Sequence, residues 1–385
     1  MWDIFWDKKY NDVRDKYACI GLNYCDPILK SNSIPSELWY EIAKAGIYQD
    51  GVEYDGVDGI VYLAAALEGL SYGLRGGRSG AIISLGTHLI MGVSMIARHT
   101  QIDIRQRLMN KVINENMLVS FAATEPHGGS DARKLETTLA KYDKGYILNG
   151  EKWNITNSPC AGVIVTFARD VVTNQPIAIA VERNWSGVSV EPLSPVGLEL
   201  CPLGKISFHN VKVPPENILS NVGNGLLVMN DGFTRERLLL SFVAAGVMKR
   251  ILDDAFEYAH NRTVFENVIG SYQYVKQRLT DIKLSLDTTQ SLGHACLKSF
   301  IANKSVMGLA SEGKMYAASQ ALRSVENAIK IFGSYGIQQG SVGDLLTSVM
   351  GGTIGGGTEE IHREAIYQDL YLNYRKKLRK KSTNK

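Results

Sequence analysis

The stretch Tyr146-Ile147-Leu148-Asn149-Gly150-Glu151-Lys152-Trp153-Asn154-Ile155-Thr156-Asn157 marks a change of backbone period near the middle of the chain. Apolar, β-branched and aromatic residues flank Asn149-Gly150, a pair suited to a tight turn because both central positions need positive φ. The spacing predicts a two-residue hairpin at Asn149-Gly150. Further short runs follow at 162–168, 176–181, 187–190 and 206–213, separated by turn residues. Strands this short and this regularly spaced predict a small barrel or sandwich.

Both flanks of this β region read as helix. Upstream, Ser33 and Pro35 open a segment that runs through Leu38, Ile42 and Ala45 and stops at Gly46. Residues 61–70 are almost wholly apolar and predict a buried helix. Downstream, Leu240, Ala244, Met248, Leu252, Ala255 and Ala259 keep a helical spacing, as do Met315, Ala318, Leu322, Val325, Ile329 and Phe332. Long amphipathic helices in succession predict a bundle. The expected fold is a multi-domain α+β arrangement. It has an N-terminal helical domain (1–118), a middle β-barrel or sandwich domain (119–224), and a C-terminal four-helix-bundle-type domain with a basic tail (225–385).

Composition narrows the function classes. Hydrophobic residues make up 45% of 385, enough for a sizeable core. The opening residues Met1 to Asp7 lack the basic and apolar regions of a signal peptide, and no apolar run reaches the ~18 residues of a membrane span. Five cysteines with no CxxC pair argue against a disulfide framework and fit a reducing compartment, so a cytoplasmic location is expected. A net charge of +3 is too small for a general nucleic-acid binder. Basic residues do cluster in Arg375-Lys376-Lys377-Leu378-Arg379-Lys380-Lys381. A solvated, frayed tail is expected there, with a steering patch for an acidic partner as the alternative.

Two glycine-rich stretches imitate nucleotide sites. Gly308-Leu309-Ala310-Ser311-Glu312-Gly313-Lys314 begins like a P-loop, but Met315 stands where a hydroxyl is required and no strand precedes it. Gly76-Gly77-Arg78-Ser79-Gly80 lacks the strand and the downstream acid of a dinucleotide fingerprint and reads as a loop. Seven histidines without an HExxH pattern give no expected metal site. Thr124-Glu125-Pro126-His127-Gly128-Gly129-Ser130-Asp131 is more telling, since its glycines permit close backbone approach and its hydroxyls and amides suit a phosphate.

That loop is followed in order by Asn149-Gly150-Glu151-Lys152-Trp153-Asn154-Ile155-Thr156-Asn157, Val211-Lys212-Val213-Pro214-Pro215-Glu216-Asn217, Arg262-Thr263-Val264-Phe265 and Gly357-Thr358-Glu359-Glu360-Ile361. The ordered set resembles the acyl-CoA dehydrogenase family, from about residue 35 to 370. The resemblance implies a three-domain subunit, bound FAD and a homo-oligomer, a tetramer or a dimer. It places Phe121, Thr124, Gly129, Ser130, Trp153, Thr156, Thr358 and Glu360 around FAD, with Thr156 facing flavin N5. It sends Arg262 and Phe265 towards the neighbouring subunit's FAD and sets Gln273 beside the cofactor. Phe233, Ser130 and Gly355 would meet the substrate.

Three departures from the family pattern carry meaning. Asn154 stands where the family usually has the Trp that screens the flavin edge, the Trp being at 153. Glu360 replaces a Gln usual at the adenine end. Where many members carry the Glu that serves as catalytic base, before Gly-Thr, this chain has Gly356, whose backbone N–H would remain a donor to the thioester oxygen. A minority similar to isovaleryl-CoA dehydrogenase places the Glu at the start of an earlier helix instead. Gly232-Phe233-Thr234-Arg235-Glu236-Arg237-Leu238 matches that pattern. Glu236 is then the expected base, with Arg237 orienting it.

Such a base removes an α-proton while the β-hydrogen leaves as hydride to flavin. The implied reaction is α,β-dehydrogenation of an acyl thioester on CoA or on an acyl carrier protein, with an electron-transfer flavoprotein among the candidate acceptors. An oxidase of the same fold and a non-catalytic binding subunit are the alternatives.

Overall fold

A computed structural model of the chain describes residues 5–31, 34–52, 57–75, 80–132 and 134–383. The readings placed on residues 1–4, Ser33 and Gly76–Ser79 lie outside the described residues. The N-terminal helices are α1 (Lys8–Ser31), α2 (Ser36–Lys44), α3 (Val57–Gly73), α4 (Ala81–Gly86), α5 (Ser94–His99) and α6 (Ile102–Asn114). Helix α2 starts after Pro35 and ends where Gly46 takes φ +93°, as its sequence predicts. Helix α3 buries Leu63, Ala64, Ala65, Ala66, Leu67 and Leu70 completely or nearly so.

A π-helical stretch, Thr87–Val93, joins α4 to α5. The combined run Ala81–His99 is 19 residues of membrane-like length and apolarity, so the expectation that no such stretch exists is corrected. Most of it is buried in the fold. Its polar groups are tied to neighbours: His88 Nδ1 accepts from Val119 N–H at 3.0 Å, and Ser84 donates to Asn157 at 2.6 Å. It is a core helix, and its all-round apolarity matches burial on every side.

The β region holds β1 (Leu118–Ala122), β2 (Thr138–Tyr142), β3 (Gly145–Thr156), β4 (Ala161–Asp170), β5 (Pro176–Glu182), β6 (Val188–Leu193) and β7 (Leu203–Val213). They form one seven-stranded sheet in the order β1-β4-β2-β3-β7-β6, with β5 paired to β4. The strand period divides β4 cleanly. Val163, Val165 and Phe167 pack into the core shared with the helices, while Ile164 and Ala168 enter a second core with Leu148, Ile155, Ile206 and Phe208.

The expected hairpin at Asn149-Gly150 is not there. β2 turns into β3 at Asp143-Lys144, and β3 runs unbroken through Asn149-Gly150. The pair instead forms a bulge, where the register against β7 shifts between Leu148 and Gly150. Gly150 has φ +145°, and a Cβ there would lie 2.6 Å from Thr137 Cα. Asn149 accepts from the backbone N–H of Asn210 at 2.7 Å. The residues that suit a turn serve here to bend a long strand.

The C-terminal half consists of α7 (Gly225–Asn261), a small β8 (Thr263–Val264) and β9 (Asn267–Val268) hairpin, α8 (Gln273–Ile301), α9 (Met307–Phe332), α10 (Leu345–Ile354) and α11 (Glu359–Thr383). The P-loop-like stretch at 308–314 lies on α9. The basic run 375–381 lies on α11, so the expectation of a frayed tail is corrected. Arg375, Lys376, Lys377 and Arg379 are exposed on continuous helix, in a segment of good helix formers with no Gly or Pro to stop it.

Gly150→Val is expected to lower stability by ~2 kcal/mol or more, because branching is forced into positive-φ backbone against Thr137. Thermal unfolding followed by circular dichroism measures it. A melting temperature equal to that of the parent would remove the bulge argument.

Candidate active site

The candidate site lies where α7 passes under the turn Gly355–Thr358 that joins α10 to α11. Glu236 sits three turns into the 37-residue α7, not in a first turn as the sequence reading has it, so no helix end stabilises its charge. Its Oε2 is sealed from solvent and has no hydrogen-bond partner among the described residues. Burial pushes the Glu236 carboxyl above its ordinary range, and Lys314 and Arg237 pull the other way.

Gly356 explains the position of this carboxylate. It has φ +67°, and a Cβ built on it would overlap both Glu236 carboxylate oxygens. A side chain at 356 and a carboxylate at 236 compete for one volume. Arg237 Nε donates to Gly356 O at 3.3 Å and its guanidinium lies over the Phe233 ring at 5.8 Å. Phe233 stacks edge-on to Phe121 at 5.6 Å, tying β1 to this part of α7.

Two neighbours were not expected from the sequence. Lys314 of α9 is buried and donates to Gly357 O at 2.8 Å. Desolvation lowers its pKa to about 8. His362 of α11 is fully buried beside the Gly357 backbone, and desolvation, with Lys314 and Arg237 nearby, lowers it to about 3. The helical stripe through Met315, Leu322 and Ile329 hid Lys314. Those three are half-buried, and the innermost line of α9 is Lys314, Ala317, Ala321, Ala328. A lysine interrupting a run of small residues is the signal that could have found it.

An apolar cavity continues the Glu236 face of α7. Its walls include Leu240, Val243 and Ala244 from α7, Ala318 and Ala321 from α9, and Ile82 from α4.

The Thr124–Asp131 loop is fixed from below. Glu125 is buried, accepts from the N–H groups of Glu136 (2.6 Å) and Thr137 (3.1 Å), and pairs with buried Lys152 at 2.8 Å. Burial alone would raise the Glu125 carboxyl, but Lys152 and these donors bring it below its ordinary value. Desolvation pushes Lys152 down to about 8 against the pull of Glu125. Three donors on one carboxylate keep the pair ionic. Above this anchor, Gly129 and Ser130 are exposed, and Trp153 N–H donates to Thr124 O at 2.9 Å. Trp153 is half-buried beside Lys205, and Asn154 is exposed with φ +55° at a second bulge. Thr156 is half-buried, with Cys201 Sγ 4.0 Å from its hydroxyl. Thr124 and Ser130 thus lie on the loop above this anchor, and Trp153 and Thr156 on the strand hydrogen-bonded to that loop at Thr124. That fits a flavin with its phosphates at the glycines.

Arg262, Phe265 and Gln273 are not brought to this place. Arg262 caps the far end of α7, and Glu236 and Asn261 are separated by roughly 37 Å of helix at the ~1.5 Å rise per residue. Phe265 is 86% exposed with φ +50° on the small hairpin, and Gln273 opens α8 in the open. Thr358 and Glu360 stand at the start of α11, where a hydrogen bond from Thr358 lowers the Glu360 carboxyl.

Two family models match the chain. The acyl-CoA dehydrogenase middle-domain model matches residues 120–211, and the C-terminal-domain model matches residues 223–371. An isovaleryl-CoA dehydrogenase from Oryza sativa subsp. japonica is 30% identical over 83% of this chain and 78% of its own. An L-prolyl-[peptidyl-carrier protein] dehydrogenase from Serratia sp. is 29% identical over 93% of this chain and 94% of its own. Among solved structures, the FAD complex of PigA superposes with TM-score 0.89 at 25% identity, covering 96% of this chain and 100% of that one. The chain belongs to the acyl-CoA dehydrogenase family. It is an FAD-dependent oxidoreductase that acts on CH–CH bonds.

Lys152→Met should leave Glu125 buried and uncompensated, costing ~3–5 kcal/mol. It should also loosen the loop, so both the melting temperature and the FAD retained through gel filtration should fall. Full FAD content at an unchanged melting temperature would refute the anchor. Gly356→Glu placed in Glu236→Gln should not restore a base, because the positive-φ backbone at 356 and the amide side chain at 236 both exclude it. Recovery of flavin reduction in that double variant would contradict the steric argument.

Proposed function

We propose that this protein desaturates an acyl thioester between its α and β carbons, with Glu236 as the base that takes the α-proton. The observation that carries the reading is the Glu236 carboxylate, with its Oε2 sealed and unpartnered against a glycine that has no side chain. Desolvation raises its affinity for a proton, which suits proton removal from carbon. Gly356 N–H would stabilise the thioester oxygen as charge develops there, and Arg237 holds that residue by its carbonyl. Phe233, Ser130 and Gly355 would flank the thioester. The apolar cavity beyond Leu240 would take an uncharged acyl group.

FAD, when bound, supplies the acceptor for the β-hydrogen. Within the subunit, Phe121, Thr124, Gly129, Ser130, Trp153 and Thr156 would hold it, with Thr358 and Glu360 at its edge. Arg262, Phe265 and Gln273 would serve a neighbouring subunit's FAD. Their exposure and their distance from Glu236 support a homo-oligomer, as do Tyr367, Leu370, Leu372 and Tyr374, all exposed on α11. The thioester carrier would be CoA or an acyl carrier protein, since similar proteins include an isovaleryl-CoA dehydrogenase, a prolyl-[peptidyl-carrier protein] dehydrogenase and a prolyl acyl carrier protein oxidase. An electron-transfer flavoprotein would take the electrons onward. Exposed Asn154, in place of the screening Trp, is the feature that supports O₂ as acceptor instead.

Glu236→Gln should keep flavin content and thioester binding while slowing anaerobic flavin reduction by ~10²–10⁴-fold. Stopped-flow reduction at parental rate with FAD intact would move the base elsewhere. In the parent, the rate should climb with pH as Glu236 loses its proton. The limb should lie above the ordinary carboxylate range, because burial favours the protonated form. Sedimentation should report an oligomer for the flavin-loaded protein, and a fully loaded monomer would refute the cross-subunit placement of Phe265.

A further inference from the structure

Lys314 is a buried cation that the reaction as described does not use. Its ammonium reaches the turn above the candidate base and donates to Gly357 O at 2.8 Å. The adjacent peptide carbonyl, Gly356 O, is taken by Arg237 at 3.3 Å. Two cations from two helices therefore grip consecutive carbonyls of one turn. The same cations are the charged groups acting on Glu236.

We propose that Lys314 is a positioning residue with two effects: it clamps the Gly355–Thr358 turn over the site, and its charge opposes the protonation of Glu236 that burial favours. This rests on Glu236 being the base. The charged groups acting on Glu236 are Lys314 from α9 and Arg237 from α7; His362 of α11 lies beside Gly357 and near both cations, and Glu359 of α11 acts on Lys314. His362 is neutral in these surroundings and adds no compensating charge. Arg237 is committed to Gly356 O and to the face of Phe233. Lys314 is thus the cation whose removal most directly exposes Glu236 to the cost of burial. An opposite charge nearby favours the ionised carboxylate, so deleting it moves the carboxyl pKa upward.

The test is the pH profile of anaerobic flavin reduction in the FAD-loaded enzyme, with an acyl-CoA and an acyl-pantetheine thioester as probes. Lys314→Gln keeps a donor for Gly357 O but removes the charge. Its acid limb should move up by about one pH unit, with the high-pH plateau within about threefold of parent. Lys314→Met removes both charge and donor, so the limb should move and the plateau should also fall, by about tenfold or more. Lys314→Arg should return the limb towards the parental position. A merely structural lysine would lower stability and FAD content without displacing the limb. An unmoved limb in Lys314→Gln with FAD retained overturns the inference, and should Lys314→Met not fold, the Gln and Arg variants alone decide it. Glu236→Gln run beside them separates the two claims. If it reduces at parental rate, the base assignment fails; if it collapses while Lys314→Gln keeps the parental profile, only the role of Lys314 fails.

Discussion

The site is organised by an exclusion: the Glu236 carboxylate and a side chain at 356 cannot occupy the same space. Everything near the turn follows from accepting the carboxylate. The backbone at 356 must approach α7 closely, which requires glycine at φ +67°. Two carbonyls then meet α7 and α9, where Arg237 and Lys314 satisfy them. The alanines lining α9 let Lys314 run inward beneath the turn. Desolvation of Glu236 is the outcome of this packing, and the two cations limit how far it goes.

The β domain solves a different problem, the rigid presentation of an exposed loop. Glycines at 128 and 129 give a loop freedom to wrap a ligand and no stiffness of their own. Stiffness comes from beneath, where Glu125 collects two backbone N–H groups and the Lys152 ammonium in a place closed to water. A buried ion pair is seldom a large net source of stability. Here it works as a locating pin, because each partner is costly to displace. Two bulges interrupt β3, the second of them around Trp153 and Asn154.

Much of the architecture was legible in the sequence. The change from helical to strand period and back is carried by whole segments, and the residues of α3, β4 and β5 declared their burial through composition. Asn149-Gly150 misled because positive-φ residues suit a bulge as well as a turn. Thr137, whose close approach decides between them, lies outside the strand that carries the pair. Motif context singled out Glu236 as the candidate base, but its depth in α7 was not legible, since nothing local marks where a long helix begins. Lys314 and His362 were hidden for a related reason. Their importance lies in what α9 and α11 bring together around one turn, and no spacing along either helix encodes that.

On the proposed assignment of Glu236, the overlap between positions 236 and 356 also constrains how a base could have moved from one element to the other. A protein carrying both carboxylates would force two like charges and two sets of atoms into one volume, so a lineage cannot hold the old base while acquiring the new one. The route must cross a chain that has neither, or one in which a small residue at 356 came first and left the site without proton-abstracting power. Duplication, which frees one copy from the need to work, is the natural setting for such a crossing. The two arrangements are therefore separate basins, and the glycine at 356 is the mark of the one this chain occupies.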